Sequence, residues 1–113
     1  MAIIDEKKVS AFTTPLVLAN VDYIVTKYSN RTKSKHAIKA LRTRLSILPM
    51  DDNIVDMAIE SEFSDFEDAL QYYSAENRGI DFIITRNKKD YIKGKIECLT
   101  AQEYMDMYEA NEQ

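Results

Sequence analysis

A chain of 113 residues has room for one domain, and its 45% hydrophobic content is typical of a globular protein. The net charge of −4 argues against a protein that binds nucleic acid through overall positive charge. The apolar runs are too short to span a membrane, and the charged N-terminus does not resemble a signal peptide. A single cysteine, Cys98, excludes an internal disulfide and fits the reducing cytoplasm, so we expect a cytoplasmic protein.

The first half of the chain predicts short strands that alternate with helices. Residues 9–13 are typical of a strand, and Thr14 caps a helix over 15–28, with Pro15 at its first position. A second helix over about 33–45 and a short strand over 46–49 follow. The apolar residues of the first helix recur at helical spacing and predict a stripe that faces the core: Val17, Val21, Ile24 and Tyr28.

Positive and negative charges occupy different segments. Residues 27–44 contain seven Lys and Arg and no acid, whereas residues 51–76 contain no Lys or Arg. Within the basic segment, Lys35, Lys39 and Arg42 line up on one face of the second helix. A basic segment beside an acidic one can guide a phosphate backbone toward a metal that the acids hold. The alternative is that the two segments are ordinary helix faces exposed to solvent.

The second half predicts helices over about 51–60 and 65–77, strands over 81–85 and 96–99, and a helix over about 100–108. Strands that alternate with helices, without hairpin signals, indicate a parallel α/β sheet. The sequence also predicts which side chains face inward. In the helix over 51–60 these are Ile54, Val55, Ala58 and Ile59, and in the next helix Phe66, Ala69, Leu70 and Tyr73. Asp65, Asp68 and Tyr72 share the adjoining face of that helix.

Acidic and amide side chains stand at two places that such a fold brings to one edge of its sheet. Asp68 begins a helix, and Asn87 and Asp90 follow the strand over 81–85. Converging carboxylates repel each other unless a cation lies between them, and hard oxygen ligands suit Mg²⁺ or Mn²⁺. Such a metal polarises a phosphate and lowers the pKa of a water molecule. The plain alternative is an aspartate that only caps its helix.

Three stretches resemble successive landmarks of the PIN domain family, most closely its bacterial VapC-like members. They are residues 16–24 (LVLANVDYI), 65–71 (DFEDALQ) and 84–91 (ITRNKKDY), and the resemblance covers roughly residues 10–108. The resemblance implies one PIN-like domain over residues 1–113, built as a Rossmann-like three-layer α/β/α sandwich around a central parallel sheet. It also implies a ribonuclease that depends on Mg²⁺ or Mn²⁺, commonly the toxin of a toxin–antitoxin pair, with RNA as substrate and an antitoxin protein as partner.

The resemblance also assigns roles to individual residues. Asp68 and Asp90 match catalytic, metal-binding acids, and Asn87 and Asp65 are further candidate metal ligands. Asn20 and Thr85 are supporting polar groups, and Asn20 stands where many members have a Glu. We expect the basic face of the second helix to bind RNA through Lys35, Lys39 and Arg42.

The beginning of the chain departs from the family pattern. A PIN domain opens with a strand that ends in an Asp, and residues 1–5 only imitate it, because too few residues separate Asp5 from the next strand. We therefore expect Asp5 to end a helix, and the domain to be N-terminally truncated, without its first strand and first acid. Unpaired strand edges would favour a homo-oligomer.

Three functional hypotheses follow from this sequence. The first is a ribonuclease that is weakly active or inactive in this truncated form. The second is a PIN-like scaffold without catalysis that acts through protein association. The third is an unrelated α/β domain whose aspartates are helix caps.

Overall fold

A computed structural model of the protein describes residues 10–86, 88–91 and 94–112. Its contacts divide the chain into two compact units, residues 1–50 and residues 51–113, and each unit is described by itself. Asp5 and Val9, which the sequence places in a helix tail and a strand, lie outside the described residues. Within the described ranges, no helix has both the length and the apolar character that crossing a membrane requires.

From residue 10 onward, the first unit has two strands that flank a pair of helices. Its elements are β1 (Phe12–Thr13), α1 (Pro15–Tyr28), α2 (Arg31–Arg44) and β2 (Ser46–Ile47). The strands pair in parallel, with Phe12 opposite Ser46. Thr14 caps α1 as predicted, and its side chain accepts the Val17 N–H at 3.3 Å. The second helix begins two residues before its predicted start, and the side chain of its cap, Asn30, accepts the Lys33 N–H at 2.8 Å.

The two helices of this unit pack against each other, and a polar contact links them. Ser34 of α2 is fully buried, and its hydroxyl donates a hydrogen bond to Oδ1 of Asp22 in α1 at 2.6 Å. The predicted core-facing stripe of α1 is wrong, because Ile24 is 54% exposed and Tyr28 is 77% exposed. Helical spacing shows that one face of a helix is apolar, but it cannot show which face the neighbouring helix covers.

The second unit contains three helices, two strands and a short 3-10 turn among the described residues. Its elements are α3 (Asp52–Ile59), α4 (Phe66–Arg78), β3 (Phe82–Ile84), the 3-10 turn (Lys88–Tyr91), β4 (Glu97–Leu99) and α5 (Ala101–Glu112). Gly79 ends α4 with a φ of 76°, the left-handed conformation that glycine adopts without strain. The strands β3 and β4 pair in parallel, with Ile83 opposite Cys98.

The core of the second unit lies where α3 packs against α4. Its fully buried apolar side chains on these helices are Ile54, Ala58, Ala69, Tyr72 and Ala75. Three residues that the sequence predicts to face inward are instead exposed: Val55, Ile59 and Phe66. Tyr72 shows the opposite error, since the sequence puts it on the face of Asp65 and Asp68, yet it is only 2% exposed.

The α/β class is confirmed, and every strand pair among the described residues is parallel. These strands form two separate two-stranded sheets, one in each unit. The three-layer sandwich around one central sheet, and the single domain, stay predictions.

Candidate functional site

The start of α4 carries two of the predicted metal ligands. Asp65 is the N-cap of this helix, and its Oδ1 accepts a hydrogen bond from the backbone N–H of Asp68 at 2.9 Å. Asp68 itself lies half-buried in the first turn, next to Glu67. Carboxylates are favoured at this end of a helix because the backbone N–H groups give it partial positive charge. The capping interaction therefore holds Asp65 and Asp68 together in one helical turn.

The polar segment after β3 begins at Thr85, which is half-buried. Its backbone N–H donates to the carbonyl of Leu99 at 3.0 Å and so continues the pairing with β4. The 3-10 turn that contains the backbone of Asp90 packs against α4. Asn87 and the side chain of Asp90 lie outside the described part of the chain. The helix that carries Asp68 and the turn that carries Asp90 are thus in contact, and the convergence of the two side chains stays a prediction.

A salt bridge and a helix cap involve Glu103 of α5, and the salt bridge connects the 3-10 turn to this helix. The ammonium group of Lys88 lies 3.0 Å from Oε1 of Glu103 in α5. Oε1 of Glu103 also accepts the Thr100 N–H at 2.9 Å, while the Thr100 hydroxyl accepts the Glu103 N–H at 3.1 Å, and these two bonds form a capping box. The bond from the Thr100 backbone, and then the Lys88 ammonium, lower the pKa of Glu103. Glu103 is therefore ionised at neutral pH and ties the turn to α5.

Tyr72 of α4 contacts the backbone at Lys95, which lies between the 3-10 turn and β4. Its hydroxyl donates to Oε2 of Glu76 at 2.7 Å and accepts the backbone N–H of Lys95 at 2.6 Å. Its ring centroid lies 5.2 Å from that of Phe63, whose ring is 6.4 Å from that of Tyr91. Burial raises the pKa of Tyr72, so its hydroxyl remains protonated and able to donate.

Gly94 lies directly against the Tyr72 ring. A Cβ atom at this position would overlap the ring, with Cδ1 and Cζ of Tyr72 only 2.8 Å away. Gly94 is thus required for close approach rather than for an unusual backbone angle. Sequence analysis missed this contact. The signal for it was the rarity of glycine, since the chain has only two glycines. The residues next to Gly94 in sequence do not show which side chain fills the space that a glycine leaves.

The donor atoms in this region suit a hard divalent cation. Asp65 and Asp68 supply carboxylate oxygens, which Mg²⁺ and Mn²⁺ prefer, from one turn of α4. Across the residues that the structure describes, no group of three or more His, Cys, Asp or Glu side chains converges as a metal site. The described donors fit the metal in chemical type, and the complete ligand set of Asp65, Asp68, Asn87 and Asp90 stays a prediction.

The first unit carries the remaining predicted site residues. Asn20 is an exposed residue of α1. Lys35, Lys39 and Arg42 are all exposed on α2, and Arg42 donates from Nη1 to the carbonyl of Leu45 at 3.2 Å. This exposed basic face agrees with its predicted position on the helix, and its binding to RNA stays a prediction.

Comparisons with known proteins agree with the resemblance of the sequence. A model of the PIN domain family matches residues 1–89 of the chain. Ribonuclease VapC1 of Aquifex aeolicus (strain VF5) is 30% identical over 106 residues, which cover 89% of this chain and 72% of the relative. No solved structure gives a significant match.

Proposed function

Because the chain belongs to the PIN domain family, we propose that it is a VapC-like endoribonuclease that depends on Mg²⁺ or Mn²⁺. The observation that carries the proposal is the contact between α4, which begins with Asp65 and Asp68, and the 3-10 turn that contains Asp90. RNA is the proposed substrate, an antitoxin protein the proposed partner, and the cytoplasm the proposed location.

The proposed roles follow from the chemistry of each group. Asp65, Asp68, Asp90 and Asn87 would hold the cation, which when bound offsets negative charge on the phosphodiester. Thr85 and Asn20 are proposed as supporting polar groups.

The basic face of α2, formed by Lys35, Lys39 and Arg42, would bind RNA phosphates. We expect weak activity, because Asn20, an uncharged amide, stands where many members of the family have a negatively charged Glu.

Cleavage of single-stranded RNA with and without Mn²⁺ tests the proposal. Asp68→Ala is expected to lower the rate at least about 100-fold, since loss of an anionic ligand removes several kcal/mol of charge stabilisation. Asp56→Ala is a matched control, because Asp56 is an exposed acid of α3. Equal rates in the wild type and Asp68→Ala, or cleavage that continues in a chelator, would show that the proposal is wrong.

A scaffold that acts through protein association is the second candidate. The exposed apolar side chains of α1, including Ile24 and Tyr28, favour it because they offer a surface for another protein. Calorimetric titration with Mn²⁺ separates the two candidates. Binding that is lost in Asp68→Ala supports the nuclease, whereas a wild-type protein that takes up no Mn²⁺ supports the scaffold.

A further inference from the structure

Tyr72 of α4 makes two close contacts with residues 94 and 95, which precede β4. Tyr72 accepts the Lys95 N–H at 2.6 Å and presses its ring against Gly94. The Gly94 N–H in turn donates to the carbonyl of Tyr91 at 2.9 Å. The residue that contacts the Tyr72 ring is therefore also bonded to the end of the 3-10 turn. Tyr72 of α4 therefore contacts the stretch whose backbone is bonded to the end of the 3-10 turn.

The aromatic rings around Tyr72 make this connection stiff. The Tyr73 ring lies 5.1 Å from that of Tyr72 at an angle of 85°, and Phe63 contacts both Tyr72 and Tyr91. Aromatic pairs at these centroid distances are favourable, and their energy depends on the relative direction of the rings. The Tyr72 hydroxyl is fixed as well, because Glu76, one turn further along α4, accepts a hydrogen bond from it. Ring and hydroxyl are thus held before any ligand binds.

We propose that Tyr72 is a positioning residue for the metal site: by holding Gly94 and Lys95 against α4, it sets the place of the turn that contains Asp90 relative to Asp68. This inference rests on the proposed function. Metal sites tolerate little displacement of a ligand, and groups that only orient ligands typically change metal affinity by about 10-fold to 100-fold when removed. Tyr72 touches neither substrate nor metal in this role.

The substitution Tyr72→Phe tests the proposal, because it keeps the ring and removes only the hydroxyl. Gly94→Ala disturbs the same contact, because it adds a methyl group that overlaps the Tyr72 ring. We expect both variants to bind Mn²⁺ about tenfold more weakly in calorimetry. We also expect amide hydrogen exchange in residues 88–95 to become about tenfold faster, since the Lys95 N–H loses its partner or is displaced.

Two controls separate positioning from general stability. Tyr73→Phe removes a hydroxyl from the same aromatic cluster but leaves the bonds to Glu76 and Lys95 intact. Ile54→Val trims a side chain of the same unit that is 1% exposed, and so lowers Tm without touching the turn. We expect both controls to bind Mn²⁺ as the wild type does.

The outcomes distinguish this proposal from the proposed function. If Asp68→Ala abolishes Mn²⁺ binding while Tyr72→Phe binds as tightly as Tyr73→Phe, the proposal is wrong and the proposed function stands. Unchanged hydrogen exchange in Tyr72→Phe would overturn the proposal in the same way. If the wild type binds no Mn²⁺, both fail. Weaker binding and faster exchange in Tyr72→Phe, with neither change in the two controls, would support it.

Discussion

Two roles meet at Asp65, one structural and one chemical. Its Oδ1 accepts the Asp68 N–H at 2.9 Å, which satisfies a backbone group that the first turn of α4 leaves without a partner inside the helix. Its charge also makes it a candidate metal ligand. Asparagine caps helices about as well as aspartate does, but it carries no charge. The two roles can therefore be separated by substitution.

We expect Asp65→Ala to lower the free energy of unfolding by about 1 kcal/mol through loss of the cap, and Asp65→Asn to leave it nearly unchanged. If Asp65 is also a ligand, both variants lose Mn²⁺ affinity, because neither carries the carboxylate. Urea unfolding measures the first effect and calorimetry the second. An Asn variant as unstable as the Ala variant would contradict the capping role, and one that binds Mn²⁺ normally would exclude Asp65 as a ligand.

At the scale of the element, α2 is a helix with a basic face that contacts solvent. Lys35, Lys39 and Arg42 are exposed and share that face at spacings of four and three residues. Lys33 is equally exposed on the same helix, but at 3.6 residues per turn it points about 160° away from Lys35. The basic face can therefore be tested by substitution of Lys35 and Lys39, with Lys33 of the same helix as the control.

Replacing Lys35 and Lys39 together by alanine is expected to weaken RNA binding and to reduce its dependence on salt. Each lost phosphate contact lowers the slope of log affinity against log salt by about 0.7 for a single strand. Fluorescence anisotropy with a labelled RNA at several salt concentrations measures this slope. Lys33→Ala should leave it unchanged. If Lys33→Ala weakened RNA binding as much as the double substitution does, net charge rather than this face would govern binding.

Helix boundaries could be predicted well because they depend on residues close in sequence. The Thr14 cap and Pro15 predict the start of α1, as the structure confirms, and the predicted helix over 65–77 agrees within one residue with α4. The buried faces were less predictable. Phe66 is 51% exposed while Tyr72 is buried, because burial depends on the neighbouring elements rather than on spacing within the helix.

At the scale of the whole molecule, the predictable part of the site is likewise the local part. Asp65 and Asp68 lie in one helical turn, as their spacing requires. The contact between Tyr72 and Lys95 joins residues 23 positions apart, and it depends on the space that Gly94 leaves. No local pattern encodes such a contact, so it became visible only in the structure.

The apolar face of α1 gives the predicted homo-oligomer a surface on which it can be tested. Ile24 and Tyr28 are largely exposed on this face, one helical turn apart. Burying an isoleucine against a partner contributes about 1.5–3 kcal/mol, which corresponds to roughly 10-fold to 100-fold in a dissociation constant. We therefore expect Ile24→Lys to shift the protein toward the monomer in light scattering at micromolar concentrations.

The matched control is Ile59→Lys, which places the same charge on a 62% exposed isoleucine of α3. If association depends on the α1 face, Ile59→Lys should retain the mass of the wild type while Ile24→Lys loses it. Equal loss in both variants would point to general repulsion from the added charge. A wild-type protein that is strictly monomeric would contradict self-association, and the exposed face of α1 would then remain available to a different protein.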